Sequence, residues 1–169
     1  VGLNPMTVEL IDETMVSLAR TIPLFKSTVE DYVKGNPAAI LVVEFSEETW
    51  AGNLSTVDQL KEIMVSIFFG NKSENPKKSG IDRGIVVIEP LEEPNRISEM
   101  RKSGLNIMMS MKSDAKPVSF VEDCAVPLPH LADYTQGLTD IFKEYGTYGT
   151  WYAHASVGCL HVRPVLNMK

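Results

Sequence analysis

Cysteine is scarce in this sequence. Cys124 and Cys159 are the two present, and a single pair makes no disulfide framework. They read as free thiols in a reducing compartment. No Cys-x-x-Cys, His-Glu-x-x-His, Gly-x-Ser-x-Gly or Walker-type loop occurs, so nucleophilic hydrolysis and nucleotide binding have no support. No apolar run approaches the ~20 residues of a membrane-spanning helix, and no export signal is visible, which points to the cytoplasm. Positive charge is in deficit. Sixteen Lys and Arg against 22 Asp and Glu leave a net charge of −6, which argues against nucleic acid as the main partner, because such binding shows as a basic face.

What is present is ordinary for a globular domain, with 44% hydrophobic and 22% charged residues. The length of 169 residues suits one domain over 1–169 or two small packed halves. A chain of this size buries about 70% of its unfolded surface, so it folds without a disulfide or structural metal. It begins with Val1 and stops shortly after its last histidine, and is therefore read as a piece of a longer protein.

Hydrophobic spacing predicts a helix over residues 6–20, with Val8, Ile11, Met15 and Leu18 on one face and Pro23 as its end. Residues 23–37 read as a polar connection with about one helical turn. Residues 38–45 (AAILVVEF) read as a strand central in a sheet. A second helix carries Leu60, Ile63, Met64 and Ile67, with Ser46 and Ser55 as capping candidates and Gly52-Asn53 as a break. Lys72, Lys77 and Lys78 sit in a polar loop over 70–82 and read as a solvated turn. Further strands are expected at 84–89 and 116–123, and further helices at 95–109 and 130–145. The predicted class is α+β, with a mostly antiparallel, ferredoxin-like sheet and helices packed on one face. No Gly-rich phosphate loop stands at a strand–helix turn, which disfavours a doubly wound nucleotide fold.

The most informative stretch is the last. Trp151-Tyr152-Ala153-His154-Ala155-Ser156-Val157-Gly158-Cys159-Leu160-His161-Val162-Arg163-Pro164 reads as two short strands joined by a tight bend, with an imidazole near each end. Imidazole is the commonest transition-metal ligand near neutral pH. Zinc sites need three or four protein ligands, and Cys159 is the obvious third by sequence, since positions i and i+2 of a strand share a face. The plainer reading is two hydrogen-bonded strand histidines. Arg101 on a helix and Lys116 at a strand start can clamp a carboxylate, the arginine as a fork and the lysine as a point charge; the plainer reading is two solvated cations. Glu122 and Asp123 read as turn-capping acids.

The run from His154 to His161 resembles the His-x-Gly-Asp-Gly-Asn-x-His signature of the FAD-linked oxidases. These are flavoprotein D-2-hydroxyacid dehydrogenases acting on D-lactate, glycolate or D-2-hydroxyglutarate, and the signature lies in their C-terminal domain. Residues 116–123, the following Ala125-Val126-Pro127 and the helix over 101–104 are similar to the same family. The wording HASVGCLHVRP resembles the branch that continues into an iron–sulfur domain. The resemblance implies a substrate domain for oxidation of a small 2-hydroxyacid by hydride transfer to flavin. It implies that His154 and His161 bind a divalent metal, zinc or manganese, as catalytic residues, and that Arg101 and Lys116 hold substrate carboxylates. FAD is then bound mainly by an N-terminal FAD-binding domain outside these residues, and the third metal ligand is an acid beyond Lys169. The piece alone is expected neither to hold FAD tightly nor to turn over. A homo-oligomer, and a peripheral place at the inner membrane for the parent protein, are compatible with the resemblance. One stretch departs from it: Ser156-Val157-Gly158-Cys159 stands where the family has Gly-Asp-Gly-Asn, so only Gly158 of those four is kept. The competing reading is a non-catalytic ferredoxin-like regulatory or interaction domain.

Overall fold

The computed structural model describes residues 2–69, 84–88 and 95–169. In chain order its elements are β1 (Thr7–Asp12), α1 (Glu13–Thr21), α2 (Pro23–Tyr32), β2 (Ala39–Glu44), α3 (Trp50–Phe69), α4 (Asn95–Lys102), α5 (Gly104–Met109), β3 (Ala115–Pro117), β4 (Cys124–Ala125), α6 (Leu131–Glu144), β5 (Gly149–His154) and β6 (Cys159–Asn167). The sheet runs in the order β2-β1-β5-β6-β3, and β4 also pairs with β6. Every described pairing is antiparallel. The α+β class with an antiparallel sheet is the one expected. Its connection differs in detail, because β1 and β2 flank the α1–α2 hairpin and are direct antiparallel neighbours.

The first helix begins later than its spacing predicts. Asp12 is extended (φ −80°, ψ 170°) and its Oδ1 accepts the Met15 amide at 2.9 Å, an N-cap that starts α1 at Glu13. Residues before it form β1, which pairs with β2 on one side and β5 on the other. Val8, Ile11, Met15 and Leu18 satisfy the helical period, but two hydrogen-bonded ladders outweigh that local preference. Asp12 Oδ2 also accepts the Trp151 amide at 2.9 Å, which ties the start of α1 to β5. Burial pushes the Asp12 carboxyl above its ordinary range, and the backbone N–H groups pull it part of the way back. Pro23 does end α1, yet it also opens α2 at a position where its missing N–H costs nothing. The expected polar connection is therefore mostly helix.

The sheet has two different faces. Ile11, Ile40, Val42 and Tyr152 lie under α1, α2, α4 and α5, and Met15, Val29, Met100 and Ile107 fill the space between. Ile11, Met15, Met100 and Ile107 are fully buried, each contributing roughly 1.5–3 kcal/mol of transfer free energy. On the opposite face Leu10, Ala153, Leu160 and Val162 pack under Leu131, Tyr134, Leu138 and Phe142 of α6. Four helices thus share one face as expected, and α6 adds a layer on the other.

Several local expectations are corrected. The strand at 38–45 exists as β2, but it ends the described strand order and leaves Leu41 half exposed; a run of β-branched residues does not by itself distinguish edge from centre. Residues 84–88 join no ladder among the described residues. Of the strand expected at 116–123 only Lys116 and Pro117 fall in β3; Val118 still donates to the Pro164 carbonyl at 2.9 Å, but Pro164 has no N–H to return the bond and the ladder stops there. The helix at 95–109 is split into α4 and α5 around Ser103. Gly104 sits so close to α1 that a Cβ there would lie 3.0 Å from Met15 Cε. Gly52-Asn53 does not break α3. Thr49 Oγ1 accepts the Gly52 amide at 3.1 Å and caps the helix, and Asn53 Oδ1 accepts the Glu47 amide at 3.0 Å. The cluster Lys72, Lys77 and Lys78 lies outside the described residues.

Candidate functional site

The site is built on the β5–β6 hairpin. Between the strands a single 3-10 turn at Ala155–Val157 leads to Gly158 in the left-handed region (φ 72°). A Cβ on Gly158 would stand 2.0 Å from the Val126 carbonyl oxygen. The Val126 amide in turn donates to the Gly158 carbonyl at 2.8 Å. Both the backbone angle and the close approach of the chain beside β4 therefore require glycine. This bend sets the register, placing His154 opposite Cys159 and Tyr152 opposite His161. Directly opposite residues share a face, so these four side chains project together. Glu9 pairs with His154 and Ile11 with Tyr152 across β1, which puts Glu9 on that face as well.

The two imidazoles lie with ring centroids 5.1 Å apart, edge to face. Tyr152 stacks on His161 at 5.4 Å and meets His154 edge-on at 5.5 Å. Each histidine is backed by a carboxylate. His154 Nδ1 lies 2.8 and 3.0 Å from the two Glu9 oxygens, and His161 Nδ1 lies 2.7 Å from Asp123 Oδ1. An Nδ1–H held this way fixes the tautomer and leaves the Nε2 lone pair as the acceptor a metal could use. The Glu9 side chain is only 4% exposed. It is partnered a second time by Arg101 Nη2 at 3.2 Å, and Arg101 Nε donates to Tyr152 Oη at 2.9 Å. Burial raises the Tyr152 phenol above its ordinary pKa, the Arg101 guanidinium lowers it in part, and Glu9 raises it again. The phenol thus stays protonated at neutral pH.

The structure brings three of the four predicted site residues together: His154, His161 and Arg101. Lys116 is elsewhere. It stands on β3 opposite Leu166, at the far end of β6 from His161, and its Nζ donates to the Met111 carbonyl. Both acids of the 116–123 segment prove to be docking groups. Glu122 Oε2 accepts from Arg163 Nε at 2.8 Å and Nη2 at 2.7 Å, while Asp123, in the left-handed region at φ 64°, reaches His161. The two cysteines are free. Cys124 belongs to the α6 face, where its thiol donates to the Val121 carbonyl and accepts from Tyr134 Oη at 3.1 Å.

Glu9, Tyr152 and Asp123 were missed as site residues. Glu9 reads as one acid of a helix unless Asp12 is recognised as the cap that leaves residues 7–12 extended. Tyr152 stands two before His154, the same-face spacing of a strand, and that spacing was the available signal. Asp123 follows an acid in a segment with no regular period, and no local signal marks it.

Two imidazoles with carboxylate-backed Nδ1 atoms and the Cys159 thiol on the same face form a donor set suited to a divalent transition metal, and the half-buried Arg101 guanidinium stands beside it through Glu9. The chain is 29% identical over 172 residues to the D-2-hydroxyglutarate dehydrogenase of Pantoea ananatis, covering 99% of the chain. Identity is 29% over 168 residues to the protein of that name from Haemophilus influenzae and 29% over 171 residues to that from Escherichia coli, again with 99% of the chain covered. The chain spans 16% of the length of each of these relatives. The family model for the C-terminal domain of FAD linked oxidases matches residues 1–169, and the chain belongs to that family.

Proposed function

We propose that this chain is the substrate- and metal-binding domain of an FAD-dependent oxidoreductase that oxidises a D-2-hydroxyacid to the 2-oxoacid. The observation that carries the reading is the convergence of His154, His161 and Arg101 on one sheet face, with Glu9 buried between His154 and Arg101. D-2-hydroxyglutarate is the first substrate to try, because the relatives bear its name, and D-lactate is the second.

In this reading His154 and His161 hold a divalent metal, zinc or manganese, through Nε2. Such a metal polarises a bound hydroxyl and lowers its pKa, and FAD carried by another domain supplies the hydride acceptor. The chain's own residues bind and orient. Glu9 keeps the His154 imidazole in one tautomer and rotation, and Asp123 orients the His161 imidazole through Nδ1 before a cation is bound. Arg101 is pinned by Nε to Tyr152 and by Nη2 to Glu9, which leaves Nη1 of the fork for a substrate carboxylate. A carboxylate fixed there sets which hydrogen on the α-carbon faces out of the site. Lys116 serves as a second carboxylate cation only by leaving its Met111 carbonyl partner. The FAD-binding domain, and an iron–sulfur cluster if the parent protein has one, belong to other parts of the longer chain.

The test is dye reduction by the full-length protein with D-2-hydroxyglutarate and with D-lactate, before and after chelation. The expected result is oxidation of at least one acid, lost on chelation and restored by zinc or manganese. Full activity in thoroughly metal-depleted protein, or no oxidation of either acid by metal- and FAD-replete protein, contradicts the reading.

A further inference from the structure

We propose that Cys159 and Asp123 join His161 as ligands of the bound cation, so that the centre carries a thiolate and selects zinc over manganese. The inference deepens the metal reading above and rests on it. Asp123, Cys159 and His161 each present one donor atom, and these atoms lie no more than 4.8 Å from one another. Tetrahedral zinc has bonds of about 2.0–2.1 Å to nitrogen or oxygen and about 2.3 Å to sulfur, which spaces its donors by about 3.5 Å. Closure of about one ångström therefore assembles the set.

The residues divide into fixed and movable partners. Cys159 and His161 are half-buried and two positions apart on β6, so their relative placement is held by the ladder to β5. Cys159 also stands directly opposite His154 and two positions before His161, so the thiol shares a sheet face with both imidazoles. The Asp123 side chain is 75% exposed and is free to swing from its place on His161 Nδ1 toward a cation. Charge supports the set. A metal-bound thiol is deprotonated outright, so thiolate and carboxylate together neutralise a dication while the imidazoles stay neutral. On binding, the Cys159 proton is released to solvent and a sulfur–metal bond forms. Thiolate ligands favour zinc, whereas manganese prefers carboxylate, carbonyl and water oxygens.

X-ray absorption at the zinc edge, measured on the full-length zinc-loaded protein, tests this directly, because it is blind to flavin and iron. A sulfur shell at about 2.3 Å beside nitrogen and oxygen at about 2.0–2.1 Å is expected. Cys159→Ser should lose the sulfur shell, keep the imidazole scattering and bind zinc at least ~10-fold more weakly by chelator competition, since even losing an outer partner of a metal ligand costs that much. Asp123→Asn, at a site too exposed to affect folding, should weaken zinc while keeping the sulfur. Zinc held only by nitrogen and oxygen, or a sulfur shell that persists in Cys159→Ser, overturns the inference and leaves the histidine site standing. Absence of bound zinc from the wild-type protein, with His154→Ala and His161→Ala no different from it, overturns both.

Discussion

Replacing Glu9 by glutamine changes one buried atom and one charge at the centre of the site. The carboxylate accepts from His154 at 2.8 and 3.0 Å and from Arg101 at 3.2 Å. An amide of the same shape accepts through one oxygen only and turns an NH2 group toward one of these two donors. A hydrogen bond to a charged group contributes about 1.5–3 kcal/mol. His154 and Arg101 remain 38% and 21% exposed, so water recovers part of the loss, and the net destabilisation is about 2–3 kcal/mol. Denaturant unfolding of the chain should show a lower midpoint at unchanged slope, the signature of lost stability rather than altered compactness. In the full-length protein the same substitution removes the carboxylate behind His154 and should weaken zinc about 10–100-fold in a chelator competition. Stability within ~0.5 kcal/mol of wild type, together with unaltered zinc affinity, would refute the assignment of Glu9 as the residue that positions His154 and Arg101.

Two glycines should respond unequally. Gly158→Ala places a methyl 2.0 Å from a backbone carbonyl at φ 72° and should cost about 3 kcal/mol or more, read by thermal unfolding. Gly104→Ala meets only the flexible end of Met15 at 3.0 Å, and the ~1 kcal/mol gain in helix propensity should leave the net change near zero. Asp12 yields a pH prediction. Its folded pKa is raised by burial, so its contribution is fully present below the unfolded value and is lost as pH rises through the folded one. Wild type should therefore gain stability relative to Asp12→Asn as pH is lowered from neutral to about 4; a flat or opposite difference in paired denaturation curves counts against it.

The sequence was most legible where chemistry and period agreed. The β5–β6 hairpin, its bend at Gly158 and the two imidazoles near the bend follow from alternation around a glycine, and Cys159 shares their face as the i, i+2 rule requires. The α+β class followed from strands alternating with helices. Less legible were places where tertiary pairing decided between two acceptable local states. Val8, Ile11, Met15 and Leu18 fit a helix as well as the observed strand-then-helix, and only the ladder to β2 and β5 resolves them. Glu9 was hidden by that ambiguity. Asp123 was hidden by distance, since 38 residues separate it from His161 and nothing local links them. Lys116 shows the converse: placed by resemblance, it lies at the other end of β6 from the pair it was expected to join.

The central claim is that the carboxylate-backed histidine pair holds the metal on which hydroxyacid oxidation depends. Its most direct test is to measure metal content and D-2-hydroxyglutarate-dependent dye reduction together in the full-length wild type, His154→Ala and His161→Ala. Metal polarisation of the substrate is worth several kcal/mol, so each variant should lose bound metal and at least ~100-fold in kcat/KM. Variants that oxidise the acid at the wild-type rate would contradict the account.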